Sequence, residues 1–87
     1  MPELYRRGGA SDQCCWFDDY EQAVNWDGNN SNLIAILAVS KEELMRDFST
    51  YGCAGMRMVS GTYSRFENRI LEMDIYDFLE IEDELGA

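Results

Sequence analysis

The chain has 87 residues, no histidine, a single proline and a formal net charge of −10 at pH 7. A domain so negative repels DNA, RNA and anionic lipid, which excludes nucleic-acid or membrane-surface binding as a direct role. The missing histidine removes the commonest general base, the triad imidazole and the usual zinc ligand, while 46% hydrophobic residues suffice for the core of one small domain, residues 1–87.

Residues 1–13 read as a loose N-terminal segment, with an edge strand around Leu4-Tyr5-Arg6 as the ordered form and the Gly8-Gly9 pair as a loop. Phe17, Tyr20 and Val24 then recur at three- and four-residue spacing behind Asp18 and Asp19. Acids in a first turn suit the helix dipole, so the spacing predicts a helix from about Asp18 to Trp26. Asp27–Asn32 is loop-forming. Leu33–Val39 is an unbroken apolar run between polar clusters, which predicts a strand covered on both faces. Ser40-Lys-Glu-Glu43 has the form of a capping box. Behind it Leu44, Phe48 and Tyr51 form one stripe, and Gly52 stands where a helix should stop.

Met56–Phe66 alternates with period two, and so does Leu71–Ile75. Together they predict two antiparallel strands turning near Glu67-Asn68. From Asp77 the spacing of Phe78, Leu79, Glu82 and Leu85 becomes helical. A single helix from Glu67 to Leu85 is the competing arrangement. The expected fold is therefore α+β: a three- or four-stranded, mainly antiparallel sheet with two or three helices packed on one face.

Little in the chain points to catalysis. Cys14, Cys15 and Cys53 are odd in number and adjacent cysteines rarely bridge, so no disulfide framework is expected. No cation adjoins Cys14 or Cys15 to activate a thiolate, and nearby Asp12, Asp18 and Asp19 oppose one. Asp27-x-Asn29-x-Ser31 opens like a calcium loop, but Asn32 replaces the turn glycine and Ala38 stands at the bidentate acid position. No metal, cofactor or enzymatic activity is expected. The opening residues do not look like an export signal and no apolar run reaches membrane-spanning length, so the expected address is the cytoplasm, that of the host if the chain is viral.

The acids are unevenly placed. The acidic C-terminal segment, residues 67–87, holds eight carboxylates against Arg69, and residues 31–66 are nearly neutral. The candidate contacts are Glu72, Asp74, Asp77, Glu80, Glu82, Asp83 and Glu84, interleaved with apolar residues. Carboxylates two to four residues apart on a helix or strand lie roughly 6–7 Å apart, close to the phosphate spacing of a nucleic-acid strand. A second candidate surface is Trp16, Asp18, Asp19 and Tyr20, aromatic anchors flanked by acids. The expected partner is a basic protein, a nuclease or a nucleic-acid-binding complex, whose groove such a face would occupy.

In size, acidity and want of catalytic motifs the chain is similar to phage-encoded anti-CRISPR and antirestriction proteins, as a class and without a shared motif. That likeness implies a non-enzymatic inhibitor mimicking DNA or RNA. The alternatives are an immunity or antitoxin protein neutralising a basic nuclease, and a structural or adaptor homodimer joined through its aromatics.

Overall fold

The computed structural model describes residues 2–26, 30–50 and 55–86, excluding the side chains of the last two. The chain folds as an α+β domain around an antiparallel sheet of order β1-β2-β5. Its strands are β1 (Glu3–Arg7), β2 (Leu33–Ala38) and β5 (Leu71–Asp74). A small second sheet pairs β3 (Phe48–Ser49) with β4 (Arg57–Met58). The helices are α1 (Tyr20–Asn25), α2 (Lys41–Asp47), α3 (Tyr63–Phe66, continued by a 3-10 turn over Glu67–Arg69) and α4 (Ile75–Gly86).

The apolar run becomes the central strand, as its pattern requires. Side chains alternate across a sheet, so β2 serves two cores at once. Ile34 and Ile36 pack with Ile75 and Phe78 of α4 and with Tyr5, Tyr20 and Met73. On the other face Ala35 and Leu37 join Leu4, Trp16, Phe48, Met58 and Phe66. Burying each of these large side chains contributes about 1.5–3 kcal/mol before entropy is counted. Helices therefore lie against both faces, α4 and the start of α1 on one and α2 and α3 on the other. The expected packing was mainly on one.

Register follows from the same alternation. Tyr5 sits opposite Ile36, and Ile34 opposite Met73. β1 occupies the edge that was expected near Leu4-Tyr5-Arg6, and its outer side carries a bridge from Tyr5 to Phe17. Arg7 ties the far end down: its Nε donates to the Ser31 carbonyl (2.7 Å) and its guanidinium to that of Val24 (3.0 Å).

The Ser40 capping box forms as predicted. The Glu43 N–H donates to the Ser40 hydroxyl (3.1 Å), and the Ser40 N–H donates to the Glu43 carboxylate (2.9 Å). α2 nevertheless ends at Asp47. Phe48 turns extended (φ −127°, ψ 148°) and packs against Phe66 at 5.4 Å between ring centroids, and the Asp47 carbonyl accepts from the Val59 N–H instead. Tyr51 and Gly52, assigned to the same helix, lie outside the described residues, as do Asp27–Asn29 of the predicted loop.

The largest departure is Met56–Phe66. Only Arg57–Met58 is strand, and it pairs with β3; β5 pairs with β2. The alternation breaks because Gly61 takes a positive φ of 87°. The Thr62 hydroxyl and N–H both donate to the Val59 carbonyl, closing a turn. Arg65 N–H then donates to the Thr62 carbonyl and starts α3. In the C-terminal third the strand-then-helix order holds, and α4 begins at Ile75, immediately after β5.

Cys14 is free and buried, whereas Cys15 is disulfide-bonded. No disulfide was expected from the cysteine pattern, and the bond at Cys15 departs from that. The two adjacent cysteines do not bridge each other.

Candidate partner-binding surface

α4 is amphipathic, and its burial explains which acids face outward. The Asp74 carboxylate accepts from the Tyr76 N–H (2.8 Å) and the Ile75 N–H donates to the Asn32 carbonyl (2.7 Å), fixing the start of the helix beside the start of β2. Ile75 and Phe78 point into the core. At 3.6 residues per turn, Asp77, Glu80 and Glu84 then follow one another along the opposite side, with Tyr76 and Asp83 beside them. All five are exposed.

Apolar residues flank this stripe. Tyr76 is 68% exposed, and Leu79 and Ile81 are also open to solvent, as is Leu71 on β5. Leu71, Leu79 and Ile81, apolar residues interleaved with the acids, were expected to seek the core and are instead exposed. Their exposure gives the acidic face apolar ground between its charges, as interfaces that exclude water require.

The two candidate stretches meet in part. Tyr20 packs on Phe78, with ring centroids 5.1 Å apart, and edge-on to Tyr5 at 5.9 Å. This sets the N-terminus of α1 against the middle of α4. Burial raises the pKa of both tyrosines, and the charge of Glu82 adds to the rise in each, so Glu82 stands at the rim of this aromatic cluster. Asp18 is exposed, and Asp19 caps α1 by accepting from the Gln22 N–H (3.2 Å).

Two expected contacts lie elsewhere. Trp16 is fully buried on the opposite side of the sheet and bridges to Met56, so it cannot anchor a partner. Glu72, although exposed, sits across from Ala35, on the face away from Ile34, Ile36 and α4, near Gly9. The strand pattern of β5 separates it from the α4 stripe.

The described ion pairs lie away from α4. Asp47, 2% exposed, accepts from Arg46 through two nitrogens (3.1 and 2.8 Å) and from Arg65 (2.9 Å). Glu43 binds Arg69 through both oxygens, and the Arg69 guanidinium also lies 4.7 Å over the Phe66 ring. Arg46, Arg65 and Arg69 therefore serve the fold. The hydrogen bonds from Arg69, then that from the Ser40 backbone, hold the Glu43 carboxyl down at about 2; those from Arg46 lower Asp47 in the same direction.

A depressed carboxyl pKa supports stability above the unfolded value, near 4.5 for Glu43, and loses that support as pH falls toward about 2. Thermal melts should therefore show Tm declining across that window, with a shallower decline in Glu43→Gln. Equal slopes in the two proteins would contradict the role given to the Arg69–Glu43 pair.

Among the described residues no three His, Cys, Asp or Glu side chains converge as a metal site requires, and no described helix is long and apolar enough to cross a membrane. Compared with protein-family models, with curated proteins and with solved structures, the chain matches none.

Proposed function

We propose that the protein is a small, non-enzymatic inhibitor whose α4 face enters the basic, nucleic-acid-binding groove of a nuclease or nucleic-acid-processing complex. The observation that carries this is the outward stripe Asp77, Glu80 and Glu84. Among the described residues none of its carboxylates is paired with a cation, while Arg46, Arg65 and Arg69 are bound to Asp47 and Glu43. A helix rigidly seated on a sheet presents such charges at fixed spacing, and arginines already arranged for phosphate would meet them without reorganising. Asp18, Asp19 and Glu82 extend the negative field toward α1. An immunity protein against a basic nuclease would use the same face.

The cytoplasm, where nucleic-acid-processing targets are accessible, is the proposed site of action. Its reductants keep most disulfides open, so binding is proposed not to depend on the Cys15 bridge.

One observation favours a second reading. Leu71 on β5 and Tyr76, Leu79 and Ile81 on α4 are each exposed and would serve a homodimer or adaptor contact. A pull-down of the tagged protein, washed at rising salt, separates the two. The inhibitor predicts that nucleic-acid-processing proteins are retained and then released by salt, because exposed charge pairs are screened. Recovery of the protein alone, or of a partner indifferent to salt, would favour the apolar contact.

A further inference from the structure

The described arginines differ in one respect. Arg6 donates to the Gly9 carbonyl, Arg7 to Ser31 and Val24, Arg46 and Arg65 to Asp47, and Arg69 to Glu43. Arg57 donates to none of the described residues, and its Nε is buried without a hydrogen-bond partner. A buried donor left without an acceptor is destabilising, the more so when it is charged. In a chain of net charge −10, an arginine side chain with no acceptor among the described residues is the exception to be explained.

Arg57 lines a cavity of about 440 Å³ between the β3–β4 sheet, the turn that follows it and the loop at Asp12. Ser49 lies opposite Arg57 across the strand pair. The hydroxyl residues Ser49, Ser60 and Tyr63 also line it, and Met58 gives it an apolar wall. Cavities of this size hold small organic molecules, with a few polar groups orienting an otherwise apolar ligand.

We infer that this cavity is a binding site for a small organic monocarboxylate, with the Arg57 guanidinium as its anchor. The planar fork of arginine matches a carboxylate with two parallel hydrogen bonds. The serine and tyrosine hydroxyls supply further donors, and Met58 takes the organic remainder. A monoanion suits the site better than a dianion, because one cation faces the field of the whole protein and of Asp12 at the same cavity. The site is separate from the α4 face and stands whether or not that face binds a groove.

Benzoate is a suitable probe, titrated into the isotopically labelled full chain against chloride at matched ionic strength. Saturable amide shifts are expected at Ser49, Arg57, Met58, Ser60 and Tyr63. In Arg57→Gln the affinity should fall about tenfold or more, and inorganic phosphate should bind more weakly than benzoate. Shifts that match those of chloride, or that persist unchanged in a folded Arg57→Gln, would overturn the site. Phosphate binding as tight as benzoate would overturn the carboxylate preference. Should Arg57→Gln fail to fold, Asp12→Asn decides: benzoate binding about twofold tighter supports the site, and unchanged affinity refutes it.

Discussion

Gly55→Ala is expected to lower Tm by about 10–20 °C, or to prevent folding altogether. A methyl group at this position would overlap the Trp16 carbonyl oxygen and lie 2.9 and 3.0 Å from two atoms of the Phe17 ring. Neither neighbour can retreat. Trp16 and Met56 exchange backbone hydrogen bonds of 2.7 and 2.8 Å, Phe17 exchanges two with Tyr5 on β1, and both aromatic side chains are buried. A shift there would pass into the edge of the main sheet and into both sets of core contacts. The measurement is a thermal melt beside Ser64→Ala, an exposed control. A Gly55→Ala protein melting with wild type would contradict the close approach of residues 55–56 to Trp16.

The second large effect concerns binding. The pair Asp77→Lys and Glu80→Lys should weaken partner binding at least about a hundredfold while leaving Tm nearly unchanged. Both side chains are exposed on α4, away from Ile75 and Phe78, so the core does not depend on them. Each exchange moves the local charge by two units and places a cation where the proposed groove supplies its own. Repulsion is thereby added to the lost attraction. A folded double variant that binds its partner undiminished would remove the α4 face from the account. The same pair of changes at Glu72 and Asp12, off this face, serves as the control for net charge alone.

The sequence made the central layer legible because its signals were local and agreed with one another. Seven apolar residues bounded by polar clusters can hardly be other than a buried strand, and Ser40 with Glu43 sets a helix start without help from the rest of the fold. The change of period after Ile75 likewise separated β5 from α4. Arg57–Arg65 misled for a physical reason. Alternating residue types fit a strand, but one positive φ at Gly61 and the bond from Thr62 to the Val59 carbonyl convert the segment to turn and helix. The end of α2 was misplaced because Phe48 fits the helical stripe as well as it fits the core beside Phe66.

The candidate surface was legible as chemistry but incompletely as geometry. Counting acids found the α4 stripe, since burial of Ile75 and Phe78 turns Asp77, Glu80 and Glu84 outward. The same count could not show that Glu72 belongs to the other face of the sheet, because that depends on pairing with Ala35. Trp16 carried no sign of its burial: it lies in an irregular stretch held by long-range bridges. Nor did any pattern mark Arg57. Six arginines look alike in the chain, and only the fold shows which one lacks an acceptor.

The most direct measurement of the central claim is competition. With the partner recovered by pull-down, its affinity for a labelled oligonucleotide would be measured with and without this protein, at several salt concentrations. A shared groove predicts mutually exclusive binding, and an inhibition that weakens steeply as salt rises. A stable ternary complex of partner, nucleic acid and this protein, at any salt, would contradict it.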